Sequence, residues 1–241
     1  MCRMIAYLGN DVMLYDILSK FRHLALEGMK APGSKLGHTS GWGISARIDS
    51  ESSIYVRSSK EVSSNRMYQT TVEMIRQISG CQTVMAHLRH ASQGAPAVKN
   101  SHPFVVDGIV FMHNGNIGDF HEASVWTKRA VGETDSERFF LLLLHLTEGK
   151  DLIAALKEVP IKVCDNASSL TFLMDDGRGL YAYRYYTRSP DYYTLYYAKT
   201  RGSVVFCSEP FYRGLEWHLI GNKELYCAKY KENSVVVDGP F

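Results

Sequence analysis

Met1-Cys2-Arg3-Met4-Ile5-Ala6-Tyr7-Leu8-Gly9 opens the chain, with a cysteine directly behind the initiator methionine. Cysteine is small, so methionine aminopeptidase is expected to remove Met1. The mature chain would then begin with a residue carrying both a thiol and a free α-amine. That amine has a reference pKa of about 7.7–8.0, so near neutral pH a fraction of it can take the thiol proton. The run from Met4 to Leu8 reads as a buried strand. Taken alone, the stretch also fits a chance cysteine at the head of a first strand.

Beyond it the pattern alternates between strands and a few helices. Asp11 can cap a helix over Val12 to Glu27, where Leu14, Ile17, Leu18, Phe21, Leu24 and Ala25 keep helical spacing. Gly28 to Ser40 is broken by glycine, proline, lysine and serine and reads as a loop. Trp42, Ile44, Ala46 and Ile48 alternate as a strand, with Ile54-Tyr55-Val56 as its hairpin partner. Met67 to Ser79 is an amphipathic helix. Thr83 to His87 and Ile109 to His113 are strands. Thr134-Asp135-Ser136-Glu137 has the form of a capping box, ahead of the apolar run Phe139 to Leu146. Another helix is expected from Asp151 to Glu158. Short strands follow at Leu170–Met174, Gly179–Tyr185, Tyr192–Ala198, Val204–Cys207, Glu224–Tyr230 and Val235–Val237. Two packed sheets flanked by helices fit this order better than a parallel βαβ array. No repeat or linker divides the chain, so residues 2–241 are expected to form one domain.

Composition removes several function classes. The 241 residues are 45% hydrophobic and 22% charged, and their net charge of +2 gives no reason to expect nucleic acid or an anionic membrane as a partner. No apolar run is long enough to span a bilayer, and the first residues lack the form of a signal peptide. The five cysteines, Cys2, Cys81, Cys164, Cys207 and Cys227, are scattered and show no CxxC spacing. That argues against a disulfide framework or zinc site and for a reducing cytoplasm. The last four read as small buried hydrophobes. Neither metal nor cofactor is expected.

Three segments, each at a strand end, carry chemistry. In His87-Leu88-Arg89-His90-Ala91-Ser92-Gln93-Gly94, Arg89 offers a rigid fork of donors suited to a carboxylate; its plainer role is a surface ion pair. Asn100-Ser101-His102-Pro103-Phe104 is a polar turn, in which His102 is either a ligand or bonded to backbone. In Met112-His113-Asn114-Gly115-Asn116, Asn-Gly is commonly just a turn. A side-chain amide beside a glycine N–H is also the donor pair that an acyl-transfer oxyanion needs. Asp135 either stabilises its helix dipole or holds a substrate ammonium. A thiol with its own base, two oxyanion donors, a carboxylate clamp and an ammonium acceptor together fit glutamine or another γ-glutamyl amide.

Met1-Cys2-Arg3, Trp42-Gly43, His87-Leu88-Arg89-His90-Ala91-Ser92, Asn100-Ser101-His102-Pro103-Phe104, His113-Asn114-Gly115-Asn116 and Glu133-Thr134-Asp135-Ser136-Glu137 resemble the class II glutamine amidotransferases, which are N-terminal nucleophile hydrolases. The motifs cover Cys2 to about Leu146; the later strands match only in character. The resemblance implies an α+β fold, a four-layer αββα sandwich in which the mature terminus enters the site from a central sheet. It implies that Cys2 attacks the γ-amide, forming a γ-glutamyl thioester and releasing ammonia, with Asn114 and Gly115 as the oxyanion hole. Arg89 would bind the α-carboxylate, and Asp135 with the Gly115 carbonyl the α-ammonium. Ser92 stands where the family often has threonine. His90 stands where some members have tryptophan, so its backbone carbonyl is the expected contributor. The chain resembles the short, stand-alone members. Three functions follow: an ammonia-supplying subunit with a partner synthase, an independent hydrolase of γ-glutamyl amides, or a non-catalytic domain that kept the fold. The presence of Cys2, Arg89, Asn114 and Asp135 disfavours the third. The Gly28–Ser40 loop, with Lys30 and Lys35, either covers the site, meets a partner or is simply solvated.

Overall fold

The computed structural model describes residues 2–9, 13–30, 33–78, 83–118, 127–163, 166–231 and 234–241. Its first strand, β1 (Arg3–Gly9), is buried along its whole length, because it lies inside a sheet that is covered on both faces. Side chains alternate across a strand. Ile5 and Tyr7 therefore join one apolar cluster and Met4, Ala6 and Leu8 another.

Following β1 come α1 (Met13–Phe21), α2 (Leu24–Glu27), β2 (Trp42–Arg47), β3 (Ser53–Ser58), α3 (Arg66–Gln77) and β4 (Thr83–Leu88). Next are β5 (Phe104–Val106), β6 (Ile109–Asn114), α4 (Asp135–Thr147), α5 (Leu152–Val163), β7 (Thr171–Asp175) and β8 (Leu180–Arg184). The chain closes with β9 (Tyr196–Lys199), β10 (Ser203–Cys207), β11 (His218–Leu219), β12 (Glu224–Lys231) and β13 (Ser234–Asp238). One sheet has the order β11-β9-β10-β1-β4-β2-β3 and the other β13-β12-β8-β7-β6-β5. Every strand pair is antiparallel.

Three apolar clusters define the layers. Helices α1, α2 and α3 pack Ile17, Phe21, Tyr68 and Val72 against Tyr7, Ile44 and Ala86 on the outer face of the first sheet. Helices α4 and α5 pack Phe139, Phe140 and Leu156 against Phe111, Phe172 and Tyr183 of the second. Between the sheets lie Met4, Ala6, Met85, Met112, Leu173, Ala182 and Phe206. The architecture is the four-layer αββα sandwich, with β1 and β6 facing one another through its centre.

Several local expectations change. The first helix breaks at Arg22-His23, where His23 N–H turns back to Lys20 O at 3.0 Å; α1 and α2 still present one apolar face. The cap expected from Asp11 lies outside the described residues, as do Cys81 and Cys164. Cys207 and Cys227 are buried as expected. Only half of the capping box forms. Thr134 Oγ1 accepts from Glu137 N–H at 3.2 Å, whereas the Glu137 carboxylate takes Val131 N–H and Gly132 N–H of the preceding loop. Tyr192 to Leu195 are not strand, because Tyr192 and Tyr193 N–H both turn back to Ser189 O. The two-residue β11 is too short and exposed to leave a periodic signal, and α5 runs on to Val163. Among the described residues no helix is long and apolar enough to cross a membrane.

The sheets are also joined by charge. Arg47 of β2 meets Asp175 of β7 at 2.9 Å, with the carboxylate side 4% exposed. Removing one partner strands the other in a poorly hydrated place. Arg47→Met is expected to lower unfolding free energy by about 3 kcal/mol, and Arg47→Met/Asp175→Leu to recover most of it. Denaturant unfolding of the two variants checks this; equal losses in both would mean that the pair contributes only packing.

Candidate active site

Strand β1 is central in its sheet, between β4 and β10, and Cys2 stands just before it. Pairing with β4 begins at Arg3 and pairing with β10 at Ile5, so the ladders leave the Cys2 backbone without strand partners. Side chains supply them. Cys2 N–H donates to Asn114 Oδ1 at 3.0 Å, and Arg3 Nη1 donates to Cys2 O at 3.1 Å. The thiol lies 3.8 Å from His90 O, in a residue 8% exposed.

Asn114 ends β6 and sends its side chain toward the first sheet. Its Oδ1 is taken by Cys2, while Nδ2 is buried with no hydrogen-bond partner. Buried amide donors are nearly always satisfied, so this one stands out as a donor not used by the fold. The turn behind it is tight: a Cβ on Gly115 would come within 1.9 Å of Ser169 O, so only glycine fits. Ser169 Oγ donates to Asn114 O at 2.9 Å, and His113 Nε2 lies 3.1 Å from Ser169 O. The turn is thus held from the β7 side.

Arg89 follows β4 and is 2% exposed. Its Nη2 donates to Gln93 O and Gly94 O, and Nη1 to Ala95 O, so the guanidinium presently carries the 93–95 loop. Burial lowers its pKa, and the nearby acidic side chains Asp135 and Glu133 partly offset this. Asp135, at the start of α4, accepts Ile117 N–H and Ser136 N–H, each at 2.8 Å. That ties the helix N-terminus to the Asn114-Gly115 turn. The His90 ring reaches away from the thiol to Gly37 O at 2.9 Å, leaving its carbonyl as the group nearest Cys2. Ser92 is exposed on the following bend. Cys2 thus touches Asn114 and the His90 carbonyl, Gly115 and Arg89 are their chain neighbours, Asp135 is tied to the turn through Ile117, and Ser92 makes no contact with Cys2. His102 is buried and stacks on His87 at 4.1 Å rather than facing the thiol.

No role is legible in the sequence for Arg3, which follows Cys2, or for Glu209, Tyr192 and Tyr193 around it. Arg3 pairs with Glu209 at 2.6 Å and lies over the Tyr192 ring. Tyr193 OH lies 2.7 Å from Ser168 Oγ. A buried arginine directly after the cysteine was the one available signal. No group of three metal-ligating side chains occurs among the described residues.

The family model for class-II glutamine amidotransferases matches residues 1–207. YafJ of Escherichia coli is 39% identical over 72 residues, 28% of each chain. A class-II glutamine aminotransferase domain protein from Silicibacter pomeroyi superposes with a TM-score of 0.60 at 21% identity, over 98% of both chains. The glutamine phosphoribosylpyrophosphate amidotransferase of B. subtilis superposes with a TM-score of 0.63 at 14% identity, over 98% of this chain and 49% of that one. At such identities the superpositions speak for the fold. The chain spans about half or less of the curated relatives that it matches.

The histidines behind the site have a measurable consequence. Burial holds the rings of His87 and His102 well below the ordinary pKa of 6.5, and lowers that of His113. The unfolded chain protonates these rings near pH 6.5, while the folded protein does not. Stability therefore falls as pH drops below that value, by up to about 1.4 kcal/mol per pH unit for each ring. Unfolding midpoints taken from pH 7 to 5 should show this loss, and His102→Leu should reduce its slope. An unchanged slope would mean that His102 titrates in the fold as it does in water.

Proposed function

We propose, from the premise that the chain belongs to the class-II glutamine amidotransferases, that Cys2 attacks the γ-amide of glutamine. The observation that carries this reading is Asn114: its Oδ1 holds the Cys2 nitrogen while its buried Nδ2 has no partner. An oxygen developing negative charge on the attacked carbon, next to the thiol, is the acceptor that such a donor lacks.

With Met1 removed, the Cys2 α-amine takes the thiol proton as sulfur adds to the amide carbon. Asn114 Nδ2 and the Gly115 N–H stabilise the oxyanion. The amine then gives its proton to the leaving nitrogen, ammonia departs, and a γ-glutamyl thioester remains on Cys2. Water adds to the thioester and releases glutamate and the thiol. Arg89 takes the substrate α-carboxylate, and Asp135 with the Gly115 carbonyl takes the α-ammonium. A forked grip on the carboxylate uses Nη2, whose two hydrogens now serve Gln93 O and Gly94 O. Substrate binding therefore exchanges a loop carbonyl for a carboxylate, and the 93–95 loop shifts. A larger γ-glutamyl amide would use the same contacts, and an ammonia-accepting synthase is the partner that the released ammonia calls for. A reducing cytoplasm keeps Cys2 in its working form.

Intact mass of active protein should lack one methionine; full activity with Met1 retained would remove the terminal amine as base. Cys2→Ala should abolish glutaminase turnover in a folded protein. Asn114→Ala should lower kcat by about 10²–10³, as for other single oxyanion donors. Arg89→Lys and Asp135→Asn should mainly raise KM, because their partners carry the same charge throughout the reaction. Steady-state kinetics on glutamine and on γ-glutamyl amides check this. Asn114→Ala acting on KM alone, with Arg89→Lys acting on kcat alone, would reverse the assigned roles.

A further inference from the structure

Arg3 follows the nucleophile directly, yet its side chain is 1% exposed and meets four groups. Nη1 donates to Cys2 O at 3.1 Å, and Nη2 donates to Met29 O. Nε pairs with Glu209 Oε2 at 2.6 Å, and the guanidinium lies 4.9 Å from the centre of the Tyr192 ring. Glu209 is held in turn. The preceding Ser208 exchanges hydrogen bonds with β1, donating N–H to Met4 O and accepting Met4 N–H on Oγ, both at 3.0 Å. The Glu209 carboxylate also accepts Met29 N–H at 2.9 and 3.2 Å. The Met29 peptide is thus gripped on both sides, its N–H by Glu209 and its carbonyl by Arg3 and by His38 Nε2 at 3.2 Å.

This network replaces what the sheet does not provide. Cys2 precedes the ladder, so its nitrogen is fixed by Asn114 and its carbonyl by Arg3. With both ends of the residue tied, rotation about its Cα–Cβ bond alone aims the sulfur. A guanidinium donates along fixed directions, here from Nη1 and Nη2, and the Glu209 carboxylate holds it by charge beside Nε, to which it makes an ion pair without a hydrogen bond.

We propose that Arg3 and Glu209 are positioning residues for Cys2: Glu209 locks the guanidinium, and the guanidinium sets the carbonyl of the nucleophile so that its thiol faces the Asn114 amide. Neither residue touches substrate. The proposal rests on the reading of Cys2 as nucleophile and names what aims it.

Glu209→Gln keeps the shape and an acceptor for Met29 N–H but removes the charge on Nε. Arg3→Lys removes the fork. The processed full-length protein is assayed for kcat and KM on glutamine, for inactivation by 6-diazo-5-oxo-L-norleucine, and for its thermal midpoint. Active sites are counted by the label retained on Cys2. Misaimed reacting groups cost rate rather than affinity, so kcat per labelled site and the limiting inactivation rate should fall together, by about tenfold to a hundredfold. KM and the half-saturating reagent concentration should stay within about threefold of wild type. Glu209→Asp, which keeps the charge, should recover part of kcat. Should Arg3→Lys fail to fold, the two Glu209 variants decide. Wild-type kcat per labelled site in Glu209→Gln overturns the proposal. So does a loss that disappears once activity is divided by the number of labelled sites, since that is only a lost folded fraction. If the reagent instead spares Cys2 in the wild-type protein, the nucleophile reading itself fails. Labelling at Cys2 with unchanged Glu209 variants removes the positioning role alone.

Discussion

One hydrogen bond joins the two halves of the site: Cys2 N–H to Asn114 Oδ1, between residues 112 positions apart. It crosses from the head of β1 in one sheet to the end of β6 in the other. Everything near it follows from that crossing. A carboxamide has one oxygen and one nitrogen, so engaging Oδ1 with a donor fixes which way Nδ2 points. The bond can form only if the sheets pack at the right depth, which Met4, Met85, Met112 and Phe206 set between them. It also needs β6 to end at Asn114, and the contact of Gly115 with Ser169 O leaves no room for any other residue there.

The same geometry explains why so many buried polar groups cluster at one end of the sandwich. His113 is held between Ser136 and Ser169, Asp135 takes the backbone of Ile117, and Arg89 carries three loop carbonyls. Each satisfies backbone groups where strands stop and loops begin, as buried polar groups must. A rigid scaffold of sheet ends thereby carries the loops around it, including 93–95, which Arg89 holds.

Most of the fold was legible because it is written in alternation. Ile44 and Ala46, Val84 and Ala86, and Phe111 and His113 each share a face, as a two-residue period requires, and the apolar faces of α1 and α3 read equally well. Cys2, Asn114, Gly115, Arg89 and Asp135 stand out in the sequence because their residue types are uncommon in combination and each stands at the end of a strand or the start of a helix. Two packed sheets flanked by helices follow from the order of the elements, whereas the four-layer αββα arrangement was read through resemblance. The less legible features depend on contacts across long stretches of chain. Glu209 meets Met29 from 180 positions away, and no local pattern announces that. Tyr192 and Tyr193 look like strand residues because aromatic side chains favour strands, but a turn at Ser189 diverts them. The break at Arg22-His23 leaves the apolar spacing intact and so leaves no trace in it.

The central claim is that Cys2, held by Asn114, forms a covalent bond to a γ-glutamyl group. Protein mixed with glutamine and quenched in acid within the first turnover tests it directly, by peptide mass. The expected product is a peptide that begins at Cys2 and carries one glutamyl group as a thioester, lost on mild treatment with hydroxylamine. Glutamate produced with no adduct on Cys2 at any time, or with the adduct on Cys207 or Cys227 instead, would contradict it.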